Sequence, residues 1–193
     1  MTAEDIIDGL LAREGGWRDQ VTRPDGSIDP ATNLGITLDT LRRYALHVGI
    51  PITGPIDEAE LRRLTPQQAA RIYQLGYIEQ PGFTPENIPF EPLRVQLIDF
   101  GVNSGPERAT RWLQRVLQVD ATGQLDDDTR HRLRALLDAD VAGSMDLMGT
   151  LINDALVAAR SYMIDRLEDT GALRTADEEG VESRALSFFR ARP

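Results

Sequence analysis

The chain has no cysteine and no lysine, only two histidines among 193 residues, and no long apolar run. Without cysteine, disulfide frameworks, thiolate metal sites and cysteine nucleophiles are excluded together. His47 and His131 each lie in an Arg-rich helical stretch, so surface or packing roles are expected of them and a histidine-rich metal site is not. Apolar runs fall far short of the roughly 20 residues a membrane span needs, so stable membrane insertion is not expected. All 21 basic residues are arginines and 31 acids outnumber them, a net charge of −10 with no basic stripe of the kind nucleic-acid binding requires. The opening "MTAEDIIDGLLAREGG" lacks the basic start and small-residue cleavage site of a signal peptide, which implies a protein made in the cytoplasm.

What is present suits an ordinary core: 41% hydrophobic and 27% charged residues. Thr2 with Asp5 marks a helix start, and Ile6, Ile7, Leu10 and Leu11 recur at helical spacing up to Gly15. Residues 16–36 are rich in Asp, Pro, Gly, Thr and Asn and read as a long loop or a small irregular hairpin. Helices follow at about 38–48 and 57–64, and Thr65, Pro66 and Gln68 form a capping-box start for a further one. The four prolines of "EQPGFTPENIPFEP" suggest a boundary near residue 90, giving halves 1–90 and 91–193. Beyond it two helices break at Ser104-Gly105-Pro106, a third covers about 126–137, and a last lies near 178–190. Met148, Leu151, Ile152, Ala155, Leu156, Ala159, Tyr162 and Met163 predict a central helix with a buried stripe, and Trp112 is expected in the core. The fold class is mainly α with a small β element near 17–36.

The stretch "AREGGW" ends an apolar helical pattern on Glu14, although a helix C-terminus disfavours negative charge. Unsatisfied carbonyls there, and any shielding by Trp17, would favour a protonated carboxyl, the state a general acid needs. The competing reading is an exposed Glu14 paired with Arg13 or Arg18, with Gly15 simply ending the helix. Downstream, "RPDGSIDPATNLGIT" adds Asp25 and Asp29, either of which would serve as the second carboxylate of a glycoside hydrolase. Thr32, Asn33 and Thr37 add small hydrogen-bonding side chains around Gly35, where backbone is free to approach a ligand. A helix-end Glu, a polar hairpin-like loop and a following helix together match the arrangement of helical lysozymes.

"EGGW" followed by "DPATNLGIT" resembles the start of glycoside hydrolase family 108, the phage- and bacterium-borne N-acetylmuramidases. "LTPQQAARIYQLGYI" resembles that family's Ala-x-x-x-Tyr helix, and "LIDFGVNSGPERATRWLQRVL" its D-x-x-V-N-x-G segment. The pattern departs where Asp29-Pro30 runs into Ala31-Thr32 without a Gly-Gly pair, and where Tyr77-Ile78 replaces an aromatic pair. The resemblance implies a lysozyme-like helical fold cutting the β-1,4 bond from N-acetylmuramic acid to N-acetylglucosamine. It implies Glu14 as catalytic acid, Asp29 as second carboxylate with Asp25 as the alternative, and no metal or cofactor. Thr32, Asn33 and Thr37 would position water or sugar amides, and Tyr73, Tyr77 and Asn103 would line the cleft. For the tyrosines the alternative is core packing, and for Asn103 a helix cap.

The second half resembles the peptidoglycan-binding region that accompanies the family. Peptidoglycan glycan strands are the expected partner, a monomer the default, and a holin, virion or secretion apparatus the expected means of delivery to the periplasm or cell wall. Two other readings compete: a lytic transglycosylase acting on the same bond, and a non-catalytic wall-binding or scaffold protein that kept the fold.

Overall fold

In the computed structural model, which describes residues 2–24, 26–50, 54–138 and 145–169, the chain packs as two units, Met1–Gly76 and Tyr77–Pro193. The helix expected near 178–190 lies outside the described residues, as do the side chain of Met163 and the whole of Asp25.

The first unit opens on α1 (Ala3–Glu14). Thr2 accepts a hydrogen bond from the Asp5 backbone while the Asp5 carboxylate accepts one from the Thr2 backbone, so the first orphan donors of the helix are satisfied. Ile6, Ile7 and Leu10 form its buried face. Five two-residue strands follow. Trp17–Arg18 (β1), Thr32–Asn33 (β4) and Ile36–Thr37 (β5) make an antiparallel sheet in the order β1-β4-β5. Val21–Thr22 (β2) and Ile28–Asp29 (β3) pair separately, Val21 opposite Asp29. The β element of residues 17–36 is therefore two small sheets.

Then come α2 (Leu38–Tyr44), a 3-10 turn (Ala45–Val48), α3 (Glu58–Arg62) and α4 (Pro66–Gln74). Thr65 and Gln68 close the expected capping box, with Pro66 in the first turn where a missing N–H costs nothing. Helix α1 packs on α4, and Leu41, Ala45, Leu61, Ala69 and Ile72 fill the core. A π-helical turn, Leu75–Glu79, carries the chain across the division between units.

In the second unit the proline-rich segment forms turns that bury Phe83 and Ile88 completely. Four helices follow: α5 (Glu91–Ser104), α6 (Pro106–Leu117), α7 (Asp127–Asp138) and α8 (Met145–Asp169). Helix α5 is the central one. It packs against both α6 and α8 and buries residues on every side, including Leu93, Leu97, Ile98 and Phe100. Between α6 and α7, the wholly buried Gln114 donates to Thr122, Thr129 and the Gln124 carbonyl, and accepts from Gly123. Asp126 immediately precedes α7, and its hydrogen bonds from Thr129 and Thr122 hold its carboxyl below the usual range.

Two sequence expectations change here. The buried face of α8 runs through Gly149, Ile152, Asn153, Leu156, Val157 and Arg160, while Leu151 and Tyr162 are 53% and 58% exposed. The stripe is rotated because its polar members have partners on α5. Arg160 Nη2 lies 2.8 Å from Asp99 Oδ2, and the Gln96 amide meets the Asn153 carbonyl and the Val157 N–H at 3.2 and 3.0 Å. Trp112, expected in the core, is half-buried on α6 with the Arg115 guanidinium 4.6 Å above its ring.

Helix α8 crosses Phe90 at Gly149, where a Cβ would stand 2.5 to 2.7 Å from three ring carbons. Gly149→Ala gains about 1 kcal/mol of helix propensity but forces overlap costing up to about 3 kcal/mol. A net fall of roughly 2–6 °C in melting temperature, followed by circular dichroism, is expected.

Candidate active site

The local geometry of Glu14 follows from the two glycines after it. Gly15, at φ +67, ends α1 and donates its N–H to the Leu11 carbonyl at 3.2 Å. The chain reverses there, and the Gly16 carbonyl accepts from the Leu34 N–H at 3.3 Å, which aligns β1 beside β4. Glu14 thus stands at the junction of helix and sheet, its side chain 30% exposed and Arg18 Nη1 3.4 Å from Oε2. Both sequence readings of Glu14 meet in this geometry: it is a helix-end acid, and it has the Arg18 partner. The Trp17 indole donates to Asp19 at 2.7 Å, and the Arg62 guanidinium lies 3.5 Å above its ring. Glu58 and Asp19 in turn hold Arg62, at 2.8 and 3.6 Å.

"TNLGIT" is a two-residue hairpin. Thr32 pairs with Thr37 and Asn33 with Ile36, leaving Leu34 and Gly35 as the loop, with φ of +52 and +75. Two successive positive φ values define the type I′ turn that matches the twist of paired strands. The buried Asn33 donates its amide hydrogens to the Leu61 and Arg62 carbonyls at 2.9 and 3.2 Å, pinning β4 to the end of α3. Thr37 caps α2, accepting from the Thr40 N–H at 3.2 Å. Thr32 is half-buried opposite Arg18.

The turn rests on Glu14. A Cβ built on Gly35 would lie 2.9 Å from Glu14 Cγ and would overlap the Tyr73 hydroxyl, so only glycine fits between them. Tyr73, buried on α4, donates its hydroxyl to the Leu34 carbonyl at 3.0 Å. Glu14, Leu34, Gly35 and Tyr73 therefore form one packed group drawn from α1, the β4–β5 turn and α4.

Asp29 lies in the other small sheet. Arg23 Nε donates to its Oδ2 at 2.7 Å while Nη2 donates to Oδ1, a two-pronged pair across the β2–β3 hairpin. Asp25 is outside the described residues. Tyr77 and Asn103 belong to the second unit. Tyr77 is half-buried in the π-helical turn, and Asn103 donates to the Asp99 carbonyl at 2.6 Å within α5. Among the described residues no three His, Cys, Asp or Glu side chains converge as a metal site.

The sequence did not point to the link from Tyr73 to Leu34 or to the Arg23 fork on Asp29. The second left a trace, since Arg23 and Asp29 flank a Pro-Asp-Gly turn that brings its two ends together. The first left none, because α4 is far along the chain from the turn.

A family model described as Glycosyl hydrolase 108 matches residues 7–105. The solved structure titled "Structure of Brucella abortus SagA" is similar over 97% of this chain and 95% of that one, with 28% identity and a TM-score of 0.57. No curated protein matches the chain.

Proposed function

The chain belongs to the glycosyl hydrolase 108 family, and from that premise we propose that it hydrolyses the β-1,4 bond between N-acetylmuramic acid and N-acetylglucosamine in peptidoglycan, with Glu14 as general acid. The observation that carries this reading is the placement of Glu14: a carboxyl 30% exposed at the end of α1, with the Gly35 turn packed against its side chain. Glu14 would protonate the glycosidic oxygen as the bond to the sugar breaks. Asp29 would activate a water or stabilise the positive charge developing on the sugar. Thr32 would help to place the water, and the helices of 91–193 would add contacts to the glycan.

One observation favours a second reading. Because Asp29 is engaged by Arg23, a mechanism needing a single acid, the lytic transglycosylase route to a 1,6-anhydro product, also suits the site.

Digestion of purified, teichoic-acid-free peptidoglycan with mass spectrometry of the products separates these readings. Reducing muramic acid ends establish the hydrolase, and anhydro ends the transglycosylase. Binding without cleavage establishes a scaffold.

The charge of −10 sets a second expectation. An acidic enzyme approaching an anionic envelope is repelled most at low ionic strength, where the Debye length is about 30 Å, against about 8 Å at 0.15 M. The initial rate on whole walls should rise, or at least hold, between 10 and 150 mM salt in a turbidity assay. A steep fall would contradict the electrostatic argument. Confinement in a periplasm reached through a holin, or in a particle or secretion apparatus, would offset the repulsion.

A further inference from the structure

We propose that Tyr73 is a positioning residue for Glu14: through the Leu34 carbonyl, its hydroxyl clamps the β4–β5 turn onto the Glu14 side chain and fixes the aim of the carboxyl. The inference rests on Glu14 being the general acid and deepens that reading.

Glu14 is the last residue of α1, and no following helical turn packs against its side chain. Its orientation has to be set from outside the helix. What stands against it is the backbone at Gly35, close enough that a Cβ there would be 2.9 Å from Glu14 Cγ and 3.4 Å from its Cβ. The carboxyl therefore points where the turn lets it point.

The turn itself is under tension. Leu34 holds φ +52, a region that costs a side-chain-bearing residue roughly 1 kcal/mol or more and persists only when its surroundings enforce it. Both backbone groups of Leu34 are tied: its N–H donates to the Gly16 carbonyl, and its carbonyl accepts from Tyr73. The first tie comes from Gly16, between Glu14 and β1, and the second from α4, the helix against which α1 packs. Tyr73 thus anchors the far side of the turn to the same support that carries Glu14. Removing the hydroxyl leaves the Leu34 carbonyl without its buried partner and leaves room for the turn to lift.

A buried tyrosine that merely stabilises the unit would lose stability on substitution and nothing else. The test therefore needs readouts that stability alone does not move. Tyr73→Phe in the full chain is expected to lower kcat on soluble peptidoglycan fragments about tenfold with KM within about twofold, since a small misplacement of a reacting group is costly. Tyr44→Phe removes another buried tyrosine hydroxyl from the same unit and should keep wild-type kcat at a temperature where both variants are folded.

Carboxyl carbon NMR on glutamate-labelled protein supplies a readout independent of turnover. The Glu14 signal, identified by its loss in Glu14→Gln, should shift or broaden in Tyr73→Phe and stay in place in Tyr44→Phe. An unmoved Glu14 signal, wild-type kcat in Tyr73→Phe, or equal losses in the two tyrosine variants would overturn the inference. If the wild type cuts no glycan while the signal still moves, the clamp stands and the hydrolase reading fails.

Discussion

Replacing Glu14 by Gln is expected to lower glycan cleavage by about 10²–10⁴-fold, the range general acid catalysis supplies, while the melting temperature stays close to that of the wild type. The amide has the shape of the acid. It keeps the Cβ and Cγ contacts with the Gly35 turn and removes only the transferable proton and the charge. The pair with Arg18 is 3.4 Å long, with Arg18 61% exposed, so losing it costs at most about 1 kcal/mol. Removing a negative charge from a helix C-terminus recovers a few tenths of a kcal/mol to about 1 kcal/mol, which offsets that loss. Activity and stability should therefore separate cleanly. Muropeptide release followed by chromatography gives the first quantity and circular dichroism the second. Glu14→Gln cleaving at more than a tenth of the wild-type rate would remove Glu14 from the acid's role.

The second large effect lies in the other unit and concerns stability. Arg160→Met is expected to cost about 3–5 kcal/mol, the penalty for stranding one partner of a buried ion pair. Arg160 is fully buried and Asp99 is 4% exposed, with Nη2 and Oδ2 2.8 Å apart. The guanidinium also lies 5.1 Å from the Phe100 ring centroid, and Met, unbranched and apolar, replaces the packing of its stem but not its charge. The Asp99 carboxylate would then sit between α5 and α8 without that counter-charge. Pairing the change with Asp99→Leu should restore much of the lost stability, because two well-packed apolar groups often match a buried pair. Chemical denaturation midpoints of the two single variants and the double variant measure this directly. A loss under about 1 kcal/mol for Arg160→Met would mean that the pair contributes little to joining the helices.

These two residues also mark where the sequence was readable. Helix starts and stops were legible where the signal is local: Thr2 with Asp5, Thr65 with Gln68, and the break at Gly105-Pro106. Glu14 was legible for the same reason, since the helix end and the glycines that shape it are adjacent. The inner face of α8 was not. The expected stripe did not include Asn153 and Arg160, whose partners Gln96 and Asp99 lie far upstream on α5. Strands of two residues carry too little alternation to show that residues 17–36 hold two sheets. The same applies to the site. "TNLGIT" announces a turn, but that Tyr73 holds it and that Glu14 lies against it are facts of tertiary placement.

The anchoring of Asn33 has a kinetic meaning. Helix α3 has five residues, too few to persist alone in water, and the carbonyls at its end are the ones Asn33 satisfies from β4. The hairpin is equally short of its own ladder bonds, with two residues in each strand. Opening either piece breaks the Asn33 bonds to the other, so amide hydrogen exchange is expected to find the two opening as a single cooperative segment. Glu14 leans on that segment through Gly35, so the lifetime of its aligned state is expected to follow how often this small segment opens.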